Sequence, residues 1–169
     1  GIGQGYIQTT PIQLCLMTAQ IANGGFKIYP KIVLNNDNEV SIKEDKFTPL
    51  FKNSKNIKIV QDAMFSSTNE VRGTSYKSRI DDPKYQFAGK TGTAQVKRIT
   101  ELDRELDLRT FEIPYEERDH ALYVAYGPYR SPRYAISILI EHGGSGGSVA
   151  APLAKKLFKK IIDRHEVRK

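Results

Sequence analysis

Read from the N-terminus, the apolar positions fall into blocks whose spacing changes from helical to extended. Thr10 followed by Pro11 supplies a capping hydroxyl and a first-turn proline, the local signature of a helix start. From there Ile12, Leu14, Cys15, Leu16, Met17, Ala19, Ile21 and Ala22 cover most of the helix circumference. A helix apolar nearly all round is expected to be central and buried. Asn23-Gly24-Gly25 ends it with a left-handed cap. Residues 26–34 read as extended, and Pro30 confines them to an edge or bent strand. Asn35-Asn36-Asp37-Asn38 reads as a turn, with residues 39–42 pairing back as a hairpin.

A second helix is predicted over residues 56–68, with Ile57, Val60, Ala63 and Met64 on its inner face. Gly73-Thr74-Ser75 breaks the chain and Asp81-Asp82-Pro83 forms a loop. Residues 86–96, 121–126 and 134–140 read as strands, the last two joined through the proline-containing connection 127–133. Residues 148–164 form an amphipathic pattern, with Leu153, Leu157, Phe158 and Ile161 inward and Lys155, Lys156, Lys159 and Lys160 outward. Three consecutive strands flanked by helices that are not interleaved between them predict an α+β fold with an antiparallel sheet. The 10–22 helix is expected on one face and the 148–164 helix on the other or along the edge. Residues 1–169 read as a single domain. Residues 97–119 stand apart as an insertion: 13 of 23 positions are charged, without a clean period. Such a segment cannot bury a face, so it is expected to be poorly ordered and to border the groove beside the Lys90 strand.

Composition adds limits. A chain of 169 residues is long enough for one compact domain. The net charge is +7; residues 97–119 carry five Lys/Arg and eight Asp/Glu, so the remainder carries +10. The lysines are scattered and no basic stripe alternates with aromatics, which reads as solubility rather than nucleic-acid binding. Cys15 is the single cysteine, so neither a disulfide framework nor a cysteine zinc cluster is available; between Leu14 and Leu16 it reads as a buried apolar residue. No apolar run approaches the roughly 18 residues that cross a bilayer. The start at Gly1, in mid-motif and without a leader, reads as a piece of a longer protein.

Candidate chemistry centres on Gln86–Gln95, QFAGKTGTAQ. A phosphate-binding loop needs glycine five residues before Gly89, where Lys84 stands, and Thr91-Gly92-Thr93 is a poor helix start. Gly1, Gly3 and Gly5 imitate a dinucleotide fingerprint, but Tyr6 occupies the third glycine position and no strand precedes it. The remaining reading is a Lys-Thr-Gly strand box. There a lysine holds a substrate carboxylate, a glycine clears room for substrate, threonine hydroxyls bond the carboxylate, and a backbone N–H faces an oxyanion. Three residues alone are weak evidence, since an ordinary strand often carries them.

The wider pattern is more specific. Gly1-Ile2-Gly3-Gln4-Gly5-Tyr6, Thr9-Thr10-Pro11-Ile12-Gln13, Phe87-Ala88-Gly89-Lys90-Thr91-Gly92-Thr93-Ala94-Gln95, Arg118-Asp119-His120 and Glu141-His142-Gly143-Gly144 occur in that order. Together they resemble the class B penicillin-binding proteins, most closely their cell-elongation branch. The resemblance runs from Gly1 to the last helix and is weakest over residues 35–53 and 97–117. It implies the C-terminal part of a transpeptidase domain, a partial penicillin-binding-protein/β-lactamase-like fold. The implied activity is a serine D,D-transpeptidase that cross-links peptidoglycan stem peptides ending in D-Ala-D-Ala and is acylated by β-lactams. No metal or organic cofactor is implied and no nucleic acid. Membrane proteins of the elongation complex are implied as partners, and the periplasmic face of the bacterial inner membrane as location, the anchor lying outside this chain.

By the same resemblance Lys90 and Thr93 are the catalytic positions and Thr91, Gly92 and Thr93 bind substrate, the Thr93 N–H serving as an oxyanion donor. The nucleophile box Ser-x-x-Lys is absent from the 169 residues. Thr74-Ser75-Tyr76-Lys77 has its spacing but begins with threonine and falls in the wrong order. Ser54–Asn56 and Ser67–Asn69 match the Ser-x-Asn relay box but lie downstream of its place in the family, so both read as surface serines. The fragment is therefore expected to be inactive alone. His120 reads as structural, and Gly143, Gly144, Gly146 and Gly147 as a flexible link. The rival readings are a non-catalytic β-lactam sensor or binding module of the same fold, and a basic nucleic-acid-binding protein.

Overall fold

The computed structural model describes residues 7–32, 48–97, 105 and 108–166. Helix α1 spans Pro11–Ala22 and opens with a reciprocal cap, Thr10 Oγ1 accepting from the Gln13 N–H and Gln13 Oε1 accepting from the Thr10 N–H at 2.8 Å. Helix α2 spans Ser54–Asn69 and is capped by Asn53, whose carboxamide oxygen accepts from the Lys55 N–H at 3.0 Å. Strands β1 (Ala88–Ala94), β2 (His120–Gly127) and β3 (Tyr134–Ile140) form an antiparallel sheet in the order β1-β2-β3. A π-helical turn, Gly146–Ala150, leads into helix α3, Ala151–Glu166. This is the α+β architecture anticipated from the sequence.

Register assigns the two faces. Thr91 lies opposite Tyr123 and Tyr123 opposite Ile138, while Lys90 lies opposite Val124. Side chains alternate across a strand, so Ala121, Tyr123 and Ala125 share a face with Ile136, Ile138 and Ile140. Helix α3 closes this face, and Phe87, Tyr123, Ala150, Ala151, Ala154 and Phe158 are fully buried there. Phe87 stacks on Phe158 with centroids 4.9 Å apart and meets Tyr123 edge-on. The opposite face carries Ala88, Val124 and Tyr126 against Met64 of α2 and Ile21 and Ala22 of α1. Helices α1 and α3 thus sit on opposite faces of the sheet.

Four local readings need correction. Helix α1 is not central: only Thr18 is fully buried, and Ile12 and Met17 are 59% and 45% exposed. The helix is apolar all round, but among the described residues the sheet and α2 cover only part of it. Cys15 is half-buried, its thiol donates to the Ala135 carbonyl, and burial pushes its pKa up. Second, Phe26–Ile32 forms no ladder. Phe26 makes an isolated bridge with Pro49, held by Lys27 N–H to the Thr48 carbonyl and Leu50 N–H to the Gly25 carbonyl, both 2.9 Å. Third, the inner face of α2 is Ile57, Met64 and Thr68 rather than Val60 and Ala63. Fourth, α3 buries Ala151, Ala154, Phe158 and Ile162, whereas Leu153 and Leu157 are 38% and 41% exposed. Small side chains let the helix approach Ala121 and Ala125, and that close approach outweighs the bulk of the two leucines.

The turn and hairpin expected over residues 33–47 lie outside the described residues. So do 98–104, 106 and 107 of the charged insertion. Its described second half folds on itself: the Arg109 N–H donates to Glu112, Tyr115–Glu117 makes one 3-10 turn, and the Arg118 guanidinium donates to the Ile113 and Phe111 carbonyls. Among the described residues no helix is long and apolar enough to cross a membrane.

Candidate active site

Among the described residues β1 pairs only with β2, so its other edge carries no described strand. In an antiparallel strand the N–H and C=O of one residue point the same way, and alternate residues face the same edge. The carbonyls of Phe87, Gly89 and Thr91 identify that series. They accept from Asn69 Nδ2 at 2.9 Å, from the Thr68 hydroxyl at 3.4 Å and from the Lys90 ammonium at 2.8 Å. Thr93 is next in the series, so its backbone groups face the same edge. The last turn of α2 therefore covers the first part of the edge, and beyond it the Lys90 side chain folds over Thr91.

A buried polar knot holds this arrangement. The Tyr123 phenol runs beneath Gly89, where an added Cβ would lie 2.4 Å from the phenol oxygen. The glycine before Lys90 is thus required by packing. The phenol oxygen lies 2.9 Å from Thr68 Oγ1 and 3.1 Å from Ser75 Oγ, and Ser75 also donates to the Ser67 carbonyl at 3.0 Å. Burial raises the Tyr123 pKa, partly offset by its bonds to Ser75 and Thr68, and the phenol stays neutral. Neither Thr68 nor Tyr123 was singled out from the sequence, and Asn69 entered only as the last residue of a Ser-x-Asn match read as surface. The usable signal was that a tyrosine on an otherwise apolar strand needs a partner for its hydroxyl.

Of the residues picked from the sequence, Lys90 and Thr93 are exposed and Thr91 and Gly92 half-buried, all on β1. An added Cβ at Gly92 would lie 3.2 Å from Leu122 Cβ. One at Gly146 would lie 2.3 Å from the Leu122 carbonyl oxygen and 2.7 Å from that of Gly92. The glycine stretch after β3 is therefore not a flexible link: Gly146 is buried and laid flat on the sheet behind β1. His120 is tied into the turn after β3, its Nδ1 accepting from the His142 N–H at 3.0 Å. His142 Nδ1 in turn donates to the Arg118 carbonyl at 3.1 Å, since a carbonyl can only accept.

The two Ser-x-Asn matches part company. Ser54 is exposed at the start of α2. Ser67 is not a simple surface serine: it is half-buried, and its Oγ lies 3.3 Å from Thr74 Oγ1. Thr74 Oγ1 lies 3.1 Å from Thr91 Oγ1, which in turn accepts from the Lys90 ammonium at 3.2 Å.

With this geometry in hand, comparison with known proteins is specific. A family model described as the penicillin binding protein transpeptidase domain matches residues 1–159. The peptidoglycan D,D-transpeptidase MrdA of Salmonella typhimurium is 34% identical over 174 residues, covering 96% of this chain and 26% of that protein. The penicillin-binding protein PBP2 of Helicobacter pylori, solved in complex with MreC, superposes with a TM-score of 0.75 at 30% identity, over 96% of this chain and 26% of that one. PBP2 of Pseudomonas aeruginosa, in complex with WCK 5153, superposes with a TM-score of 0.68 at 32% identity, over 94% of this chain and 32% of that one. The chain thus spans about a quarter of the length of the curated relative it matches.

Proposed function

The chain belongs to the penicillin-binding protein transpeptidase family, and we propose that it forms one wall of the active site of a peptidoglycan D,D-transpeptidase of the cell-elongation branch. The observation that carries this reading is Lys90 at the edge of an antiparallel strand, its ammonium donating to the Thr91 carbonyl and hydroxyl. A carboxylate reaching that edge offers the third ammonium proton a charged acceptor, stronger than either. An extended stem peptide then lies along β1 as an added strand. Lys90 holds the terminal carboxylate and supports the proton relay, the Thr91 and Thr93 hydroxyls bond the same carboxylate, and Gly92 leaves room for it. The Thr93 N–H donates to the developing oxyanion.

In this proposal the nucleophilic serine and its lysine come from a part of the protein upstream of Gly1. Serine attacks the carbonyl between the two terminal D-alanines, the C–N bond breaks, and D-alanine leaves with a proton. The acyl-serine is then opened by an amine of a neighbouring stem peptide. β-Lactams acylate the same serine. The protein works at the periplasmic face of the inner membrane, anchored by a segment outside this chain and partnered by elongation-complex proteins. The likeness to a PBP2 solved with MreC supports that partnership. This wall alone is inactive.

Labelling with a fluorescent penicillin tests the reading. The full-length protein is expected to acquire one covalent label, and Lys90→Ala to slow acylation by about 10²–10³-fold. Thr93→Val costs less, because the backbone donor remains. The 169-residue chain alone is expected to take no label by intact mass. A stoichiometric adduct on Ser67 or Ser54 would place the nucleophile inside this chain and overturn the proposal.

A further inference from the structure

The hydroxyl of Thr74 touches the candidate site from the turn behind it, and no motif of the family reading includes it. Thr74 Oγ1 stands between Ser67 Oγ (3.3 Å) and Thr91 Oγ1 (3.1 Å), and Thr91 Oγ1 is also the acceptor for the Lys90 ammonium (3.2 Å). The turn that carries Thr74 is clamped. The Ser67 carbonyl accepts from both the N–H and the hydroxyl of Ser75 at 3.0 Å. An added Cβ at Gly73 would lie 2.3 Å from that same oxygen, and one at Gly147 would lie 2.6 Å from the Thr74 carbonyl oxygen. Thr74 is thus exposed at its tip but fixed at its backbone.

We infer that Thr74 is a positioning residue for the Lys90–Thr91 anion-binding wall, an inference that rests on the transpeptidase reading above. An ammonium only donates, so Thr91 Oγ1 must accept from Lys90. Without substrate, the Thr91 proton points to Thr74 Oγ1, whose own proton points to Ser67. When a carboxylate arrives, Thr91 turns its proton toward it. Thr91 Oγ1 still has a second lone pair, and the Thr74 hydroxyl reverses to donate into it. Only a group able both to accept and to donate serves both states, which is what a hydroxyl supplies. A Thr91 oxygen that receives two donors is the more polarised donor to an anion. Thr74 need not touch substrate, and it acts through Thr91.

The test uses the full-length protein and its second-order rate of acylation by penicillin, with a β-lactam ester lacking the free carboxylate as internal reference. Thr74→Val keeps the shape and removes both hydrogen-bonding capacities, and it is expected to slow penicillin acylation about fivefold, the worth of one neutral hydrogen bond. The ester is expected to react unchanged, and Thr74→Ser to restore the penicillin rate. In a Thr91→Val background Thr74→Val is expected to add nothing, because the pathway is already cut. Wild-type speed in Thr74→Val, equal slowing of penicillin and ester, or full additivity with Thr91→Val would each overturn the inference. A variant with a general folding defect falls under equal slowing. If the wild-type full-length protein takes no label at all, the transpeptidase reading itself fails and the inference falls with it.

Discussion

The two faces of the sheet are built on different terms. On the α3 face, Phe87, Tyr123 and Phe158 lie at zero exposure among alanines from both strand and helix. On the α1–α2 face the buried set is Met64, Ala88 and Tyr126, the Tyr126 hydroxyl has no partner among the described residues, and α1 lies over it with Ile12 and Met17 largely in the open. Lys90 shares this second face by register with Val124. The comparison separates two jobs: the α3 face supplies packing density, and the α1–α2 face carries Lys90, the cation proposed to hold the substrate carboxylate.

The sharpest way to break that contrast is to empty one large side chain on each face. Phe158→Ala is expected to cost about 3–5 kcal/mol in urea unfolding, and Met64→Ala nearer 2 kcal/mol, because the second site can collapse or admit water. Equal costs would remove the distinction. A smaller effect is expected at the point where the faces meet the site strand. Tyr123→Phe leaves the buried Thr68 and Ser75 hydroxyls short of a partner, for about 1–2 kcal/mol; no measurable change in midpoint would mean that water replaces the phenol oxygen.

The smallest effect concerns the rim of the α1–α2 face. There Asp62 accepts from Lys58 at 2.7 Å and from the Tyr129 hydroxyl at 2.8 Å, and these bonds, Lys58 first, hold its carboxyl below the usual range. A depressed carboxylate pKa stabilises the fold above the unfolded value of about 3.9 and loses that contribution as pH falls through the lower folded value. Asp62→Asn should therefore unfold slightly more readily than wild type at pH 7, the gap closing below about pH 4. A gap that widens on acidification would contradict this sign.

What the sequence disclosed follows the range of the interactions. The Thr10–Gln13 cap and the three strands depend on neighbours a few residues apart, and they are where the pattern places them. The α3 seam was misread because alanine marks no side of a helix until its partner is known, and Ala121 and Ala125 lie some thirty residues upstream. The Lys90 box was legible as a motif. Its supports were not, because Thr68 with Tyr123 and Thr74 with Thr91 meet across 55 and 17 residues. Thr74 opens a segment with the spacing of a nucleophile box but the wrong first residue; its hydroxyl neighbour is Thr91, the middle residue of the Lys-Thr-Gly box.

The backbone of Gly146 pressed against Gly92 and Leu122 has a mechanical consequence. With main chain against main chain on the α3 side, β1 has no soft atoms to yield in that direction. Its compliance is one-sided: it can swing outward from α3 or slide along its own axis, but it cannot sink toward α3. A push normal to the sheet at Gly92 works against an anvil, and the force passes into the Gly146–Ala150 turn ahead of α3.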